Sequence, residues 1–112
     1  RDDDALPLFT KVADRNTTIL GARARFMVGE IHMGKKEYAA AVKTLFEVAY
    51  GYKNAGQEAD LWKANAMFDA ARCLEQLNKQ PSAIKIYQEL IEKYPASKQA
   101  EHERNRLQEL NS

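Results

Sequence analysis

At 112 residues, with 45% hydrophobic and 29% charged residues, the chain has the length of one domain and the composition of an ordered protein, which excludes two independent cores. Seventeen basic against sixteen acidic residues leave a formal charge of +1, so no strong net field gathers nucleic acid or anionic lipid. Cys73 is the single cysteine, which excludes an intrachain disulfide and a zinc site built from several thiolates.

No apolar window approaches the length of a membrane span, and no signal-like apolar run opens the chain. It begins at Arg1 and reads as a segment of a longer protein. Asp2 to Asp4 precede an apolar stripe of Leu8, Phe9, Val12 and Ala13, which predicts a short first helix over residues 5–13. Asn16 or Thr17 can cap a second helix carrying Ile19, Ala22, Phe26, Gly29 and Ile31 as far as Gly34. The spacing of Tyr38, Ala41, Val42, Leu45, Phe46 and Ala49 predicts a third helix from Glu37 to Tyr52. Lys53-Asn54-Ala55-Gly56 is the clearest punctuation. A fourth helix follows from Leu61 to near Asn78, a residue that tolerates the left-handed conformation of a C-terminal cap. Gln80 or Pro81 opens a fifth, stopped by Pro95, and Ser97 can cap a last helix whose apolar face, Ala100, Leu107 and Leu110, is thin.

The segment 22–52 superposes on 64–94 at an offset of 42 residues, matching Ala22 with Ala64, Phe26 with Phe68, Gly29 with Ala71, Ala41 with Ala83 and Tyr52 with Tyr94. Small residues recur on both members of each hairpin, at Gly29 with Ala41 and at Ala71 with Ala83. That pattern lets two helix backbones approach closely.

With these residues the chain resembles the tetratricopeptide repeat family, whose motif has a small residue eighth, an aromatic seventeenth, alanine twentieth, an aromatic twenty-fourth and often proline thirty-second. Counted from Ala64 these places hold Ala71, Gln80, Ala83, Tyr87 and Pro95; counted from Ala22 they hold Gly29, Tyr38, Ala41, Leu45 and Lys53. Gln80 and Lys53 depart from the motif, and about eight residues are added to the usual 34-residue period between Tyr52 and Ala64. The resemblance implies an all-α stack of antiparallel hairpins forming a short right-handed superhelix. Residues 1–16 would end a preceding hairpin, 17–53 and 54–95 form two hairpins, and 96–112 cap them. The run from Tyr87 to Ser97 is similar to repeats of bacterial cell-envelope proteins, among them the TolA-binding periplasmic protein and the outer-membrane assembly lipoprotein. It implies a periplasmic or envelope-associated parent.

The resemblance further implies a non-enzymatic scaffold whose first helices line a concave groove for a peptide or helical segment of another protein. Family positions two, five, nine and twelve fall on Arg23, Phe26, Glu30 and Met33 in one copy and on Asn65, Phe68, Arg72 and Glu75 in the other. Phe26 and Phe68 fit either core positions or aromatic anchors. The lysine and asparagine set with which some members clamp a terminal carboxylate is lacking. Tyr50, Tyr52 and Trp62 flank the long inter-repeat segment and offer either a second contact surface or a plug for the gap. Self-association, or a structural role within a larger envelope or secretion-associated protein, is the alternative.

Other chemistry has little to stand on. His32 and His102 belong to no metal motif, and Cys73 and Arg72, being adjacent, face different ways on a helix. Glycines 29 and 34 lack a nucleotide fingerprint, Glu30 and Glu75 fall in different repeats, and Arg23-Ala24-Arg25 is too small a basic feature for nucleic acid. No cofactor, nucleic acid or membrane insertion is expected. Far-ultraviolet circular dichroism should be dominated by helix; a strand-dominated spectrum would refute the periodicity reading.

Overall fold

The computed structural model describes residues 19–52 and 55–110. The helix expected over residues 5–13 and the cap at Asn16 or Thr17 lie outside the described residues, as do Lys53 and Asn54. The described residues form α1 (Ile19–Gly34), α2 (Tyr38–Gly51), a 3-10 turn (Gln57–Ala59), α3 (Asp60–Gln76), α4 (Gln80–Lys93) and α5 (Lys98–Leu110), and no strand occurs among them.

The two hairpin turns share one construction. At the end of α1, Lys36 takes φ 62° while the Glu37 amide donates to the His32 carbonyl at 2.9 Å; at the end of α3, Asn78 takes φ 60° while the Lys79 amide donates to Leu74 at 2.8 Å. This is the six-to-one closure of a helix C-terminus by a left-handed residue. It recurs at the same 42-residue offset as the side-chain pattern. Asn suits that conformation, whereas Lys36 holds it against the steric cost of its β-carbon. The first turn has its own brace, His32 Nδ1 lying 2.8 Å from Glu37 Oε1.

Helix ends otherwise follow local chemistry. The third predicted helix is one residue shorter at each end, because Glu37 and Tyr52 adopt non-helical dihedrals and serve as its caps. Pro81 occupies the first turn of α4, where a missing amide costs nothing. Ser97 caps α5 through its Oγ, which accepts the Ala100 amide at 3.0 Å and donates to the Tyr94 carbonyl at 2.7 Å. The residues added between repeats are spent in the 3-10 turn and at the start of α3, introduced by Gly56 at φ 85°.

Consecutive helices pack on each other, and α1 also meets α3, as α3 meets α5. The first helices therefore form one layer and α2 and α4 the other. The central core joins Ala22 and Phe26 of α1, Leu45 and Val48 of α2, Met67 and Ala70 of α3, and Leu90 of α4; a second cluster joins Ala71, Leu74, Ala83 and Tyr87, with Leu107 of α5 against it. Small residues set the crossings. Gly29 lies under Leu45, which is 0% exposed, and a β-carbon added there would stand 2.6 Å from Leu45 Cδ2. Ala41, Ala71 and Ala83 are likewise fully enclosed.

Ala83→Leu should therefore cost about 1–3 kcal/mol by overpacking. Gly29→Ala should lower stability as well, even though alanine is the better helix former by about 1 kcal/mol, because the enclosed Leu45 has no room to withdraw. Urea denaturation checks both, and unchanged midpoints would remove these residues from the tight crossings.

Candidate protein-binding face

The layer of first helices carries all eight of the sequence-predicted positions, four on α1 and four on α3. The structure sorts them into different environments. Phe26 is only 6% exposed, its ring tilted against Trp62 at 5.5 Å, so it belongs to the core and not to the surface as an anchor. Phe68 is half-buried, with Tyr87 at 6.5 Å and His102 edge-on at 5.9 Å. Arg23 and Arg72 are both exposed, their guanidinium carbons 5.8 Å from the Trp62 centroid and 5.6 Å from the Phe68 centroid. Met33 borders a small cavity of about 140 Å³ with Tyr38, Arg72, Cys73 and Gln76. Cys73 is buried, and burial pushes its thiol up to about 11, away from nucleophilic use.

Besides Phe68, two predicted positions are hydrogen-bonded to α5. Asn65 accepts a hydrogen bond from the Gln99 side chain, and Glu75 Oε2 pairs with Arg106 Nη2 at 2.5 Å. Gln99 and Arg106 went unread because the last helix looked like a featureless polar cap. Their signal was the plain 34-residue step, which carries Asn65 to Gln99, Phe68 to His102 and Arg72 to Arg106. Also unread was Glu103, 0% exposed, whose two carboxylate oxygens have no hydrogen-bond partner, as is true of Glu75 Oε1 and the Tyr87 hydroxyl. Burial pushes the Glu103 carboxyl up, against the opposing pull of Arg106 and His102.

Asp69 is the other unread acid. Burial first, and then the charge and hydrogen bond of Glu30 on α1, push its carboxyl up to about 7, with Arg72 pulling the other way. Glu30 and Asp69 thus form a carboxyl pair across the two hairpins that holds a proton into the neutral range.

Around the inter-repeat segment, Tyr52 is buried and its hydroxyl accepts from Arg25 Nε at 3.1 Å, while Trp62 is half-buried on Phe26. Both fill the gap. Tyr50 is exposed and lies under the Lys93 ammonium at 5.1 Å. Beside it on the fold, Leu61, 58% exposed, edges an apolar depression of about 300 Å³ with Ala64, Tyr94, Pro95 and Ala96. No group of three or more His, Cys, Asp or Glu poised for a metal occurs among the described residues.

A carboxyl whose folded pKa is raised stabilises the fold below its ordinary value and loses that contribution as pH climbs through the folded value. For Asp69 the window runs from the ordinary 3.8 to about 7. Wild-type stability should fall across it, and Asp69→Asn should flatten that fall by about 1–2 kcal/mol after allowance for solvent screening. Urea midpoints at acidic and mildly alkaline pH check this; parallel profiles would separate Asp69 from the pH dependence.

A tetratricopeptide repeat family model matches residues 3–60, and a second tetratricopeptide repeat model matches residues 65–97. No curated protein and no solved structure matches the chain. The first match alone spans more than half of the sequence, and the hairpins, their turns and their small-residue crossings repeat within both matched regions. On these grounds the chain belongs to the tetratricopeptide repeat family.

Proposed function

We propose that the chain is a non-enzymatic scaffold whose first-helix face binds an extended or helical segment of another protein. The carrying observation is the asymmetry of the stack: the backbones of α1 and α3, and of α3 and α5, come close, whereas α2 and α4 reach each other only through side chains such as Tyr50 and Lys93. Helices that converge on one side and part on the other curve the stack toward the first-helix side. On that side Arg23, Arg72 and Met33 offer polar and adaptable contacts, and the depression beside Leu61 offers an apolar one.

A second reading makes the fragment a structural or self-associating part of a larger envelope or secretion-associated protein. It draws support from α5, which already engages Asn65, Phe68 and Glu75 of the second copy. The phrase from Tyr87 to Ser97 favours a bacterial envelope as the setting.

Peptides selected from a random display library against the chain should shift backbone amide resonances of α1 and α3 more than those of α2 and α4. Arg72→Glu should weaken the selected peptides by about 1–2 kcal/mol in calorimetry, with an unchanged circular dichroism spectrum. Shifts concentrated on α2 and α4 would refute the assignment of the face.

A further inference from the structure

The junction of α5 with the hairpins gathers buried oxygen atoms to which nothing donates. Glu103 is 0% exposed and neither of its carboxylate oxygens has a hydrogen-bond partner; Glu75 Oε1 on α3 and the Tyr87 hydroxyl on α4 share that condition. The cations around them are turned elsewhere. Arg106 spends its Nη2 on Glu75 Oε2 and sets its guanidinium carbon 5.9 Å from the Tyr87 centroid, while Arg72 lies on the Phe68 ring. His102, itself exposed, brings Nε2 only to 3.8 Å from Glu103 Oε1, beyond hydrogen-bonding reach. An ionised Glu103 is therefore a buried charge without a donor, which is costly. A neutral Glu103 carries a donor of its own into a junction whose acceptors lack one.

Little else holds α5. Its apolar anchorage is chiefly Ala100 and Leu107, and a short turn, in which the Ser97 amide donates to the Tyr94 carbonyl, joins it to α4. The charge on Glu103 thus bears on whether this one helix stays docked. Glu30 and Asp69 differ, since they face each other between α1 and α3, in the body of the stack, where titration acts on the hairpins together.

We propose that α5 is a proton-operated cover over the end of the first-helix layer, docked while the Glu103 carboxyl is neutral and released when that carboxyl gives its proton to water. Release uncovers Phe68, which His102 meets edge-on, and detaches Gln99 from Asn65 and Arg106 from Glu75. Burial, the largest influence, raises the Glu103 carboxyl above its ordinary 4.5; Arg106 and His102 pull it down, Glu75 pushes it up, and Arg72 pulls it down. The Tyr87 hydroxyl on α4 is itself pushed up by burial and by both acids, so it stays un-ionised beside them. A carboxyl so raised stabilises docking in full below 4.5 and loses that contribution as pH climbs through the raised value.

The test follows the chain by nuclear magnetic resonance from acidic to mildly alkaline pH. Hydrogen exchange, divided by the intrinsic rate at each pH, gives the protection of α5 amides relative to those of α3 and α4, and the side-chain carboxyl carbon reports where Glu103 ionises. In wild type the relative protection of α5 should fall severalfold as pH rises, over the interval in which Glu103 ionises and above the ordinary glutamate range. Glu103→Gln, neutral at every pH, should keep α5 protected throughout, whereas His102→Gln and Asp69→Asn should retain the wild-type fall. A Glu103 that ionises at or below 4.5, or α5 protection that holds steady as it ionises, overturns the proposal, and these wild-type measurements decide it even if Glu103→Gln does not fold. A fall that survives Glu103→Gln, or one that vanishes in His102→Gln and so belongs to the imidazole, overturns it too. A loss of protection shared equally by α3, α4 and α5 overturns it in favour of the Glu30 and Asp69 pair.

Discussion

Everything else in this structure depends on how closely the helices of a hairpin can approach. Gly29 lets Leu45 lie directly on the α1 backbone, and Ala41, Ala71 and Ala83 are equally enclosed where the hairpins cross. Close approach brings large neighbours such as Met67, Tyr87 and Leu90 into full burial, and that burial supplies the apolar free energy a chain of this length needs. It also fixes rotation. A helix locked by a small residue on one side has its exposed side determined too, and on α1 and α3 that side bears Arg23 and Arg72. The exposed side chains of these helices are placed by crossings they do not touch.

Polar chemistry is distributed unevenly across the stack. Apart from the Glu30 and Asp69 pair, the first hairpin and its junction with α3 are apolar inside, with Arg25, Tyr52 and Glu47 forming a chain at the margin. The junction with α5 is different in kind: Gln99 on Asn65, Arg106 on Glu75 and over the Tyr87 ring, and the enclosed Glu103. Carboxylates enclosed without donors are costly, so this junction specifies a position for α5 more than it stabilises one. The Glu30 and Asp69 pair adds a second place where carboxyl groups are held against their preference for water.

What the sequence disclosed, and what it withheld, follows the range of the interactions involved. The five described helices, the turn at Asn78, the Ser97 cap and the small-residue crossings depend on neighbours within a turn or on a size pattern repeated at one offset, and all were legible. Phe26 was ambiguous because a position in the repeat does not say what stands opposite it. Trp62, brought in by the added inter-repeat residues, covers it. Asp69 gave no signal at all, since its unusual environment comes from Glu30 on another helix and from burial that periodicity does not report. Glu103 was hidden for a related reason: on a helix so polar, nothing in the pattern marks which acid turns inward. Asn65 and Glu75 fall on a first helix as the repeat implies, but their ties to α5 were not foreseen.

The character of the α5 junction has a consequence in time. Local opening is governed by the apolar contact a segment would lose, and α5 contributes chiefly Ala100 and Leu107 to the interior. Its separation from α3 and α4 is thus a smaller event than unfolding of the hairpins, and its amide protons should exchange with solvent before theirs. Each such excursion uncovers Phe68 and Tyr87 and frees the arms of Asn65 and Glu75. The length of the first-helix layer is therefore set by its weakest junction, and without α5 that layer would end on the polar arms of Asn65 and Glu75.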